Sequence, residues 1–345
     1  MIRIAVDAMG GDSAPQVEVQ GSVQAVTEYP AGVYLVGAED RIRAELRKLK
    51  TGGLPIEVVH ASETIAMGEP VSSAIRKKKD SSMRVAAQLV KEGKADGFVS
   101  AGNTGACMAI AKLVLGSLAH VDRPALAAIL PTAKLRPTLL IDVGANVDCK
   151  PHHLAQFAIM GEIFSRLIFS NTRPKVGLLS IGEEETKGNE LTKEAFRLLK
   201  TAPLNFVGNV EGGDVFRGDV DVVVCDGFIG NVSLKLGEGL TEMISVLLKR
   251  DLSSNPISQI GGLLSRRAFR NFKARVDYSE TGGAPLLGVK GVAIICHGRS
   301  NTKAIKNAIR IAHMLCVNRV NEKIEDEIKA LGIPQPGNPL SPMIN

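Results

Sequence analysis

Short apolar runs rich in β-branched residues alternate with stretches of helical spacing along nearly the whole chain. Residues 2–6 read as a first strand, and further strands are predicted at 33–36, 56–60, 97–100, 126–130, 138–142, 176–180, 206–209, 220–225 and 292–296. Helical spacing is predicted at 152–169, 191–199 and 302–317. It also runs from Val232 onward, where Leu234, Leu236, Leu240, Met243 and Ile244 recur at helical intervals. Pro15 suits a first helical turn, with Ser13 as its expected cap. Strands alternating with helices argue for βαβ units, hence an α/β fold around a mostly parallel sheet.

Composition agrees with strands buried on both faces. Of 345 residues 45% are hydrophobic, only 4% are aromatic and 35 are glycine. Net charge is +6, which favours anionic partners such as phosphate, acidic proteins, lipid headgroups or nucleic acid without choosing among them. The five cysteines (Cys107, Cys149, Cys225, Cys296, Cys316) are isolated and odd in number, which argues against a disulfide or zinc framework. Asp7 falls where a signal peptide needs its apolar core, and no apolar run reaches the roughly 20 residues of a membrane span. A cytoplasmic protein is expected.

The candidate chemistry lies where strands end in glycine and Asx residues. In residues 221–239 a strand leads through Asp226, Gly227, Gly230 and Asn231 into a helix; glycines there let backbone N–H groups approach an anion. A plain strand-to-helix corner has the same appearance. Asn103 and Thr104 mark a second such corner, Gly144 and Asn146 a third beside Asp142 and Asp148. A fourth loop, IGEEETKGNE, carries Lys187, Gly188 and Asn189. By the rule for open α/β sheets these corners converge on the carboxyl edge, where Lys187 is the mobile cation for a phosphate; a solvated lysine balanced by Glu183, Glu184 and Glu185 is the alternative. His152 and His153 open a helix, as surface or capping groups or as an anion contact. There is no G-x-G-x-x-G after the first strand, no P-loop, no CxxC or HExxH and no G-x-S-x-G, so no cofactor and no metal are expected. Residues 251–277 interleave Ile260, Leu263 and Leu264 with Arg266, Arg267 and Arg270. Such an amphipathic element suits either a membrane surface or a subunit contact.

Seven segments together resemble one family: VDAMGGD (6–12), SAGNTGA (100–106), DVGANVDCKP (142–151), GEEETKGNE (182–190), GNVEGGD (208–214), DGFIGNVSLK (226–235) and GGAPLLGVKG (282–291). In this order, over essentially the whole chain, they look like the bacterial PlsX-type phosphate acyltransferases of phospholipid synthesis. The resemblance implies transfer of a fatty acyl group from acyl carrier protein to inorganic phosphate. It also implies a three-layer α/β/α fold with a mixed sheet, like that of phosphotransacetylases and isocitrate dehydrogenases, and a cytosolic homodimer able to touch an anionic membrane peripherally. Nucleic acid is not an expected partner. One catalytic domain is expected over 1–330, with a helical hairpin near 251–277 and a tail at 331–345. The family pattern would have asparagine near Ile181 and arginine near Gly213.

Under this resemblance Lys187 faces phosphate or oxyanion charge, Asn231 and Asn189 orient by hydrogen bonds, and Asp226 holds that lysine or a phosphate proton. Gly227 and Gly230 admit the phosphate, and His297, at the end of a buried strand, handles a proton or is merely structural. Two other readings compete: a nicotinamide-dependent dehydrogenase of related fold, and a non-enzymatic membrane-docked scaffold for lipid enzymes.

Overall fold

The computed structural model describes residues 1–331, so of the expected 331–345 tail all but Leu331 lies outside the described residues. The strands are β1 (Ile2–Asp7), β2 (Ala31–Gly37), β3 (Ile56–His60), β4 (Gly97–Ser100), β5 (Ala125–Leu130), β6 (Thr138–Ile141), β7 (Lys175–Leu179), β8 (Asn205–Val210), β9 (Val222–Val224), β10 (Ala284–Leu287) and β11 (Val292–Ile295). They form one sheet in the order β3-β2-β1-β4-β11-β10-β5-β6-β9-β7-β8. Alternate residues feed two cores: Ile4, Val6, Leu139, Ile141, Val222 and Val224 belong to one, Ala5, Leu140 and Val223 to the other. The first core is covered by α1 (Gln16–Glu28), α2 (Glu39–Leu46), α6 (Pro151–Ile168), α7 (Glu190–Thr201), α12 (Thr302–Val317) and α13 (Val320–Ala330). The second is covered by α3 (Val71–Lys77), α4 (Ser82–Lys91), α5 (Thr104–Val114), α8 (Asp214–Arg217) and the start of α9 (Gly227–Leu252). The architecture is thus the expected three layers around a mixed, mostly parallel sheet.

One expectation needs correction: there is no single carboxyl edge. β10 runs antiparallel to both β11 and β5, and β5 antiparallel to β6, so β6, β9, β7 and β8 point against β1, β2, β3, β4 and β11. The register decides where the two sets of strand ends meet. Pro285 pairs with Ile294, Leu286 with Leu126, and Ala127 with Ile141, so the last residues of β11 and of β6 lie at nearly the same level. The carboxyl ends of the two halves therefore lie at one level near the middle of the sheet, separated by β10 and β5 and leaving in opposite directions. β10 was not legible as a strand because Pro285 and the glycines before it read as a loop. Nor does Ser13 cap α1: Pro15, after a cis Ala14–Pro15 bond, occupies the cap position and no side chain fills that role.

Candidate active site

Asp142 anchors the second half of the site. Its carboxylate is fully buried at the end of β6 and accepts from the amides of Leu126 (3.0 Å), Gly144 (3.1 Å), Ala145 (2.9 Å) and Asn146 (2.7 Å), and from Asn146 Nδ2 (2.9 Å). Burial pushes its pKa up and these donors pull it back. Asn146 also donates from Nδ2 to the Pro124 carbonyl and is itself buried, so its expected phosphate contact is corrected to a structural one.

The start of α9 packs on this loop. Gly227 N–H donates to Asn146 O (2.8 Å), the Phe228 and Ile229 amides donate to Asp226 Oδ1 (3.0 Å each), and Gly230 N–H donates to Asp226 O (2.9 Å). Every amide of the first turn is paired, so no anion cradle is open here, and Asp226 is a helix cap rather than a partner for Lys187. Gly227 and Gly230 serve contact with the loop instead of phosphate entry: a Cβ on Gly230 would run into the Asp142 carbonyl oxygen, and one on Gly227 would lie 2.7 Å from Asn146 O. Asn231, the next residue, is exposed and donates from Nδ2 to Val143 O at 3.1 Å, which leaves its second N–H and its Oδ1 for a ligand. It stands against Gly144, where a Cβ would lie 2.7 Å from Asn231 Nδ2.

The loop after the neighbouring strand β7 carries Lys187. The side chain is exposed and crosses Gly182, its Cγ 3.0 Å from where a Cβ there would be, with no carboxylate paired to it among the described residues. Of the loop acids, Glu185 pairs with Lys200 (3.0 Å), and Glu184 Oε2 lies 2.9 Å from the same point over Gly182 that Lys187 Cγ approaches. Asn189 accepts at Oδ1 from Thr192 N (2.9 Å) as the cap of α7, correcting a purely substrate-orienting role. Of the family positions that differ here, Ile181 is exposed, and beside Gly213 the guanidinium of Arg217 lies 3.9 Å from where a Cβ would be.

In the first half of the sheet, α5 begins with Asn103 as its cap, accepting from Ala106 N (3.0 Å) and donating to Met67 O (2.7 Å). Asn103 is thereby occupied, but the amides of Thr104 and Gly105 meet no acceptor among the described residues, and Thr104 is exposed. This helix start, not that of α9, presents open N–H groups. Behind it, buried Asp7 accepts from Ser100 Oγ (2.7 Å) and Met9 N (3.2 Å). Glu18 on α1 is buried as well, its pKa pushed up to about 7 by burial and by Asp7 and Asp12. Neither carboxyl was legible as a buried group, since Asp in a glycine turn and Glu in a helix are ordinarily solvated. His297 is exposed past β11, its Nδ1 accepting from Arg299 N (3.2 Å), so the neutral ring carries its proton on Nε2.

His152, His153 and Asp122 cluster within reach of one ion, with His152 Nε2 2.9 Å and His153 Nε2 4.0 Å from Asp122 Oδ2. The His153 tautomer argues against ligation: Nδ1 accepts from Lys150 N (3.0 Å), so Nε2 bears the hydrogen. Burial and nearby cations lower its pKa to about 4, and His153 is the capping histidine that the tandem pair suggested.

The segment 251–277 is a pair of helices, α10 (Pro256–Leu264) and α11 (Arg266–Val276), in which no residue is buried. Ile260, Leu263 and Leu264 are exposed at 61%, 68% and 82%, beside exposed Arg266, Arg267 and Arg270.

The model of a family described as "Fatty acid synthesis protein" matches residues 2–323. A phosphate acyltransferase from Koribacter versatilis is 59% identical over 335 residues, covering 95% of this chain and 93% of that protein. Another, from Citrifermentans bemidjiense, is 56% identical over 327 residues with the same coverage. Among solved structures, a phosphotransacetylase from Streptococcus pyogenes aligns with a TM-score of 0.64 at 16% identity, covering 92% of this chain and 94% of that one, a likeness of fold.

Proposed function

The chain belongs to the fatty acid synthesis protein family, with close relatives that are phosphate acyltransferases, and from that premise we propose that its acyl donor is the thioester of acyl carrier protein and its acceptor inorganic phosphate. Membership decides the class: the protein is an acyltransferase, not a dehydrogenase or a scaffold. The observation that carries the substrate reading is the pair of adjacent strand ends after β7 and β9. Lys187 and Asn231 stand at those ends with unused hydrogen-bonding capacity; the open amides of Thr104 and Gly105, at the start of α5 in the other half, are proposed as a second set of donors.

In this reading a phosphate oxygen attacks the thioester carbonyl carbon and forms the C–O bond. The resulting tetrahedral oxyanion collapses, the C–S bond breaks, and the sulfur leaves with the electron pair. A thiol with a pKa near 8.5 is a good leaving group, so solvent can return its proton and strong acid catalysis is not needed. Positioning and charge stabilisation carry the rate. Lys187 supplies the positive charge, Asn231 a directed N–H, and the start of α5 with the Thr104 hydroxyl a second set of donors. The role assigned to His297 is that of an Nε2–H donor, as its Nδ1 already accepts from Arg299 N. No cofactor or metal takes part in these steps.

The test follows free thiol from palmitoyl-acyl carrier protein with and without phosphate. Release that requires phosphate and yields acyl phosphate is expected; equal release without phosphate would overturn the acceptor assignment, and release from a small acyl thioester but not from the carrier protein would overturn the donor.

The arm formed by α9, α10 and α11 supports two further assignments. Along α9 the exposed residues Ile229, Val232, Leu236, Leu240, Met243 and Leu247 follow spacings of three and four, the stripe by which helices pair, and a second copy of the chain is its proposed partner. The α10–α11 tip, apolar with a basic flank, is assigned to an anionic lipid surface. No helix among the described residues is long and apolar enough to cross a membrane, so such contact would be peripheral. Changing Leu263 and Leu264 to aspartate is expected to abolish sedimentation with vesicles containing phosphatidylglycerol while the protein still elutes as a dimer. Undiminished sedimentation excludes the lipid assignment, and elution as a monomer moves the tip to the subunit interface.

A further inference from the structure

We propose that Asn209 is a positioning residue for the phosphate site, acting through the backbone that carries Lys187; the inference rests on the role given to Lys187 above. Asn209 lies on β8, is 6% exposed, and donates from Nδ2 to the Glu184 carbonyl at 2.9 Å. That same carbonyl accepts from Lys187 N–H at 2.9 Å and closes the turn from which the lysine projects. Asn209 thus ties the turn to the sheet, at the one carbonyl that also fixes the Lys187 backbone.

The strand is irregular in a way that serves this contact. β7 and β8 pair Val176 with Phe206 but Gly177 with Gly208, so Val207 is an extra residue, and Gly208 takes a positive φ of 100°. A bulge reverses the inward and outward alternation beyond it. Phe206 accordingly packs on the core under α6 and α7, whereas Val210, four residues on, belongs to the opposite core. Regular alternation would have put both on one face. The reversal turns Asn209 to the Phe206 side, the side on which α7 follows the Lys187 loop. Its Oδ1 has no partner among the described residues although it is buried. The amide cannot be reversed without setting Oδ1 against the Glu184 oxygen, so its donor is directed at that carbonyl.

The experiment is a double-mutant cycle in the full-length enzyme, measuring kcat and KM for phosphate and for the acyl thioester. Asn209→Asp puts a carboxylate oxygen in place of the Nδ2 donor and Asn209→Ser draws the donor back toward the backbone, out of reach of the Glu184 carbonyl, and both are expected to lower kcat/KM for phosphate roughly tenfold or more, with KM for the thioester within about twofold. In the Lys187→Ala background the same changes are expected to have almost no further effect, because residues acting as one unit are not additive. Amide exchange across 183–189 should also quicken in Asn209→Ser without change elsewhere, a readout that stands if Asn209→Asp does not fold. Full additivity with Lys187→Ala, or wild-type phosphate kinetics in Asn209→Ser, overturns the inference. Wild-type activity of Lys187→Ala alone overturns instead the reading on which it rests.

Discussion

Replacing Lys187 by alanine should lower phosphate-dependent thiol release roughly a hundredfold or more, the scale of losing one donor to a developing oxyanion, with little change in melting temperature. The stability half of this expectation follows from exposure: the side chain rests on Gly182, pairs with no carboxylate among the described residues, and its loop is held by backbone bonds and by Asn209. The activity half follows from geometry. At the start of α9 the amides that would otherwise receive an anion are all paired, and the exposed Lys187 at the neighbouring strand end is the cation proposed to take their place. Lys187→Arg should recover only part of the rate, since a planar guanidinium places its donors differently from a compact ammonium. Steady-state thiol release on protein whose melting curve matches wild type is the measurement. Turnover near wild type in Lys187→Ala would remove the lysine from the mechanism.

The second large effect separates two glycines of one helix. Gly230→Ala is expected to destabilise the protein by about 1–3 kcal/mol or more, because the added methyl meets the Asp142 carbonyl oxygen and lies 2.8 Å from Cys225 Sγ, and neither is free to retreat. Gly239→Ala, on the same helix with no atom of its own chain within 4 Å of the new methyl, is expected to stabilise the single chain by roughly 0.5–1 kcal/mol through helix propensity. Opposite shifts in denaturant midpoint would show that Gly230 is a packing residue. Activity should fall with stability in Gly230→Ala, as Asn231 is displaced from Val143, and stay unchanged in Gly239→Ala. If Gly230→Ala melts like wild type and loses only phosphate affinity, the phosphate-entry role first expected for this glycine is restored.

The distribution of roles shows what a strand-end motif can and cannot convey. Asn103, Asn146, Asn189, Asp226, Gly227 and Gly230 share the residue types of an anion site, and each sits at a loop or helix start near a strand end. In the fold their polar groups are largely spent on caps and loop closure, because the same short side chains that bind anions also satisfy helix amides. Lys187, Asn231 and Thr104 keep exposed functional groups, a distinction that depends on which acceptors stand nearby. Asp142 and Asn209 were not singled out as anchors: nothing in the chain marks a carboxylate that will collect five donors, or a one-residue bulge that turns an asparagine inward.

The sequence by itself determined the α/β class, nearly all the strands and helices, the family and so the acyl-transfer chemistry, since periodicity and ordered motifs are local properties that survive in one dimension. Only the tertiary structure decided that the strand direction reverses for the second half at β5 and β6, with the ends of β11 and β6 at one level, and that the start of α9 is closed while that of α5 is open. Those outcomes depend on pairings between residues far apart in the chain, such as Leu286 with Leu126 and Gly227 with Asn146, which no local pattern encodes.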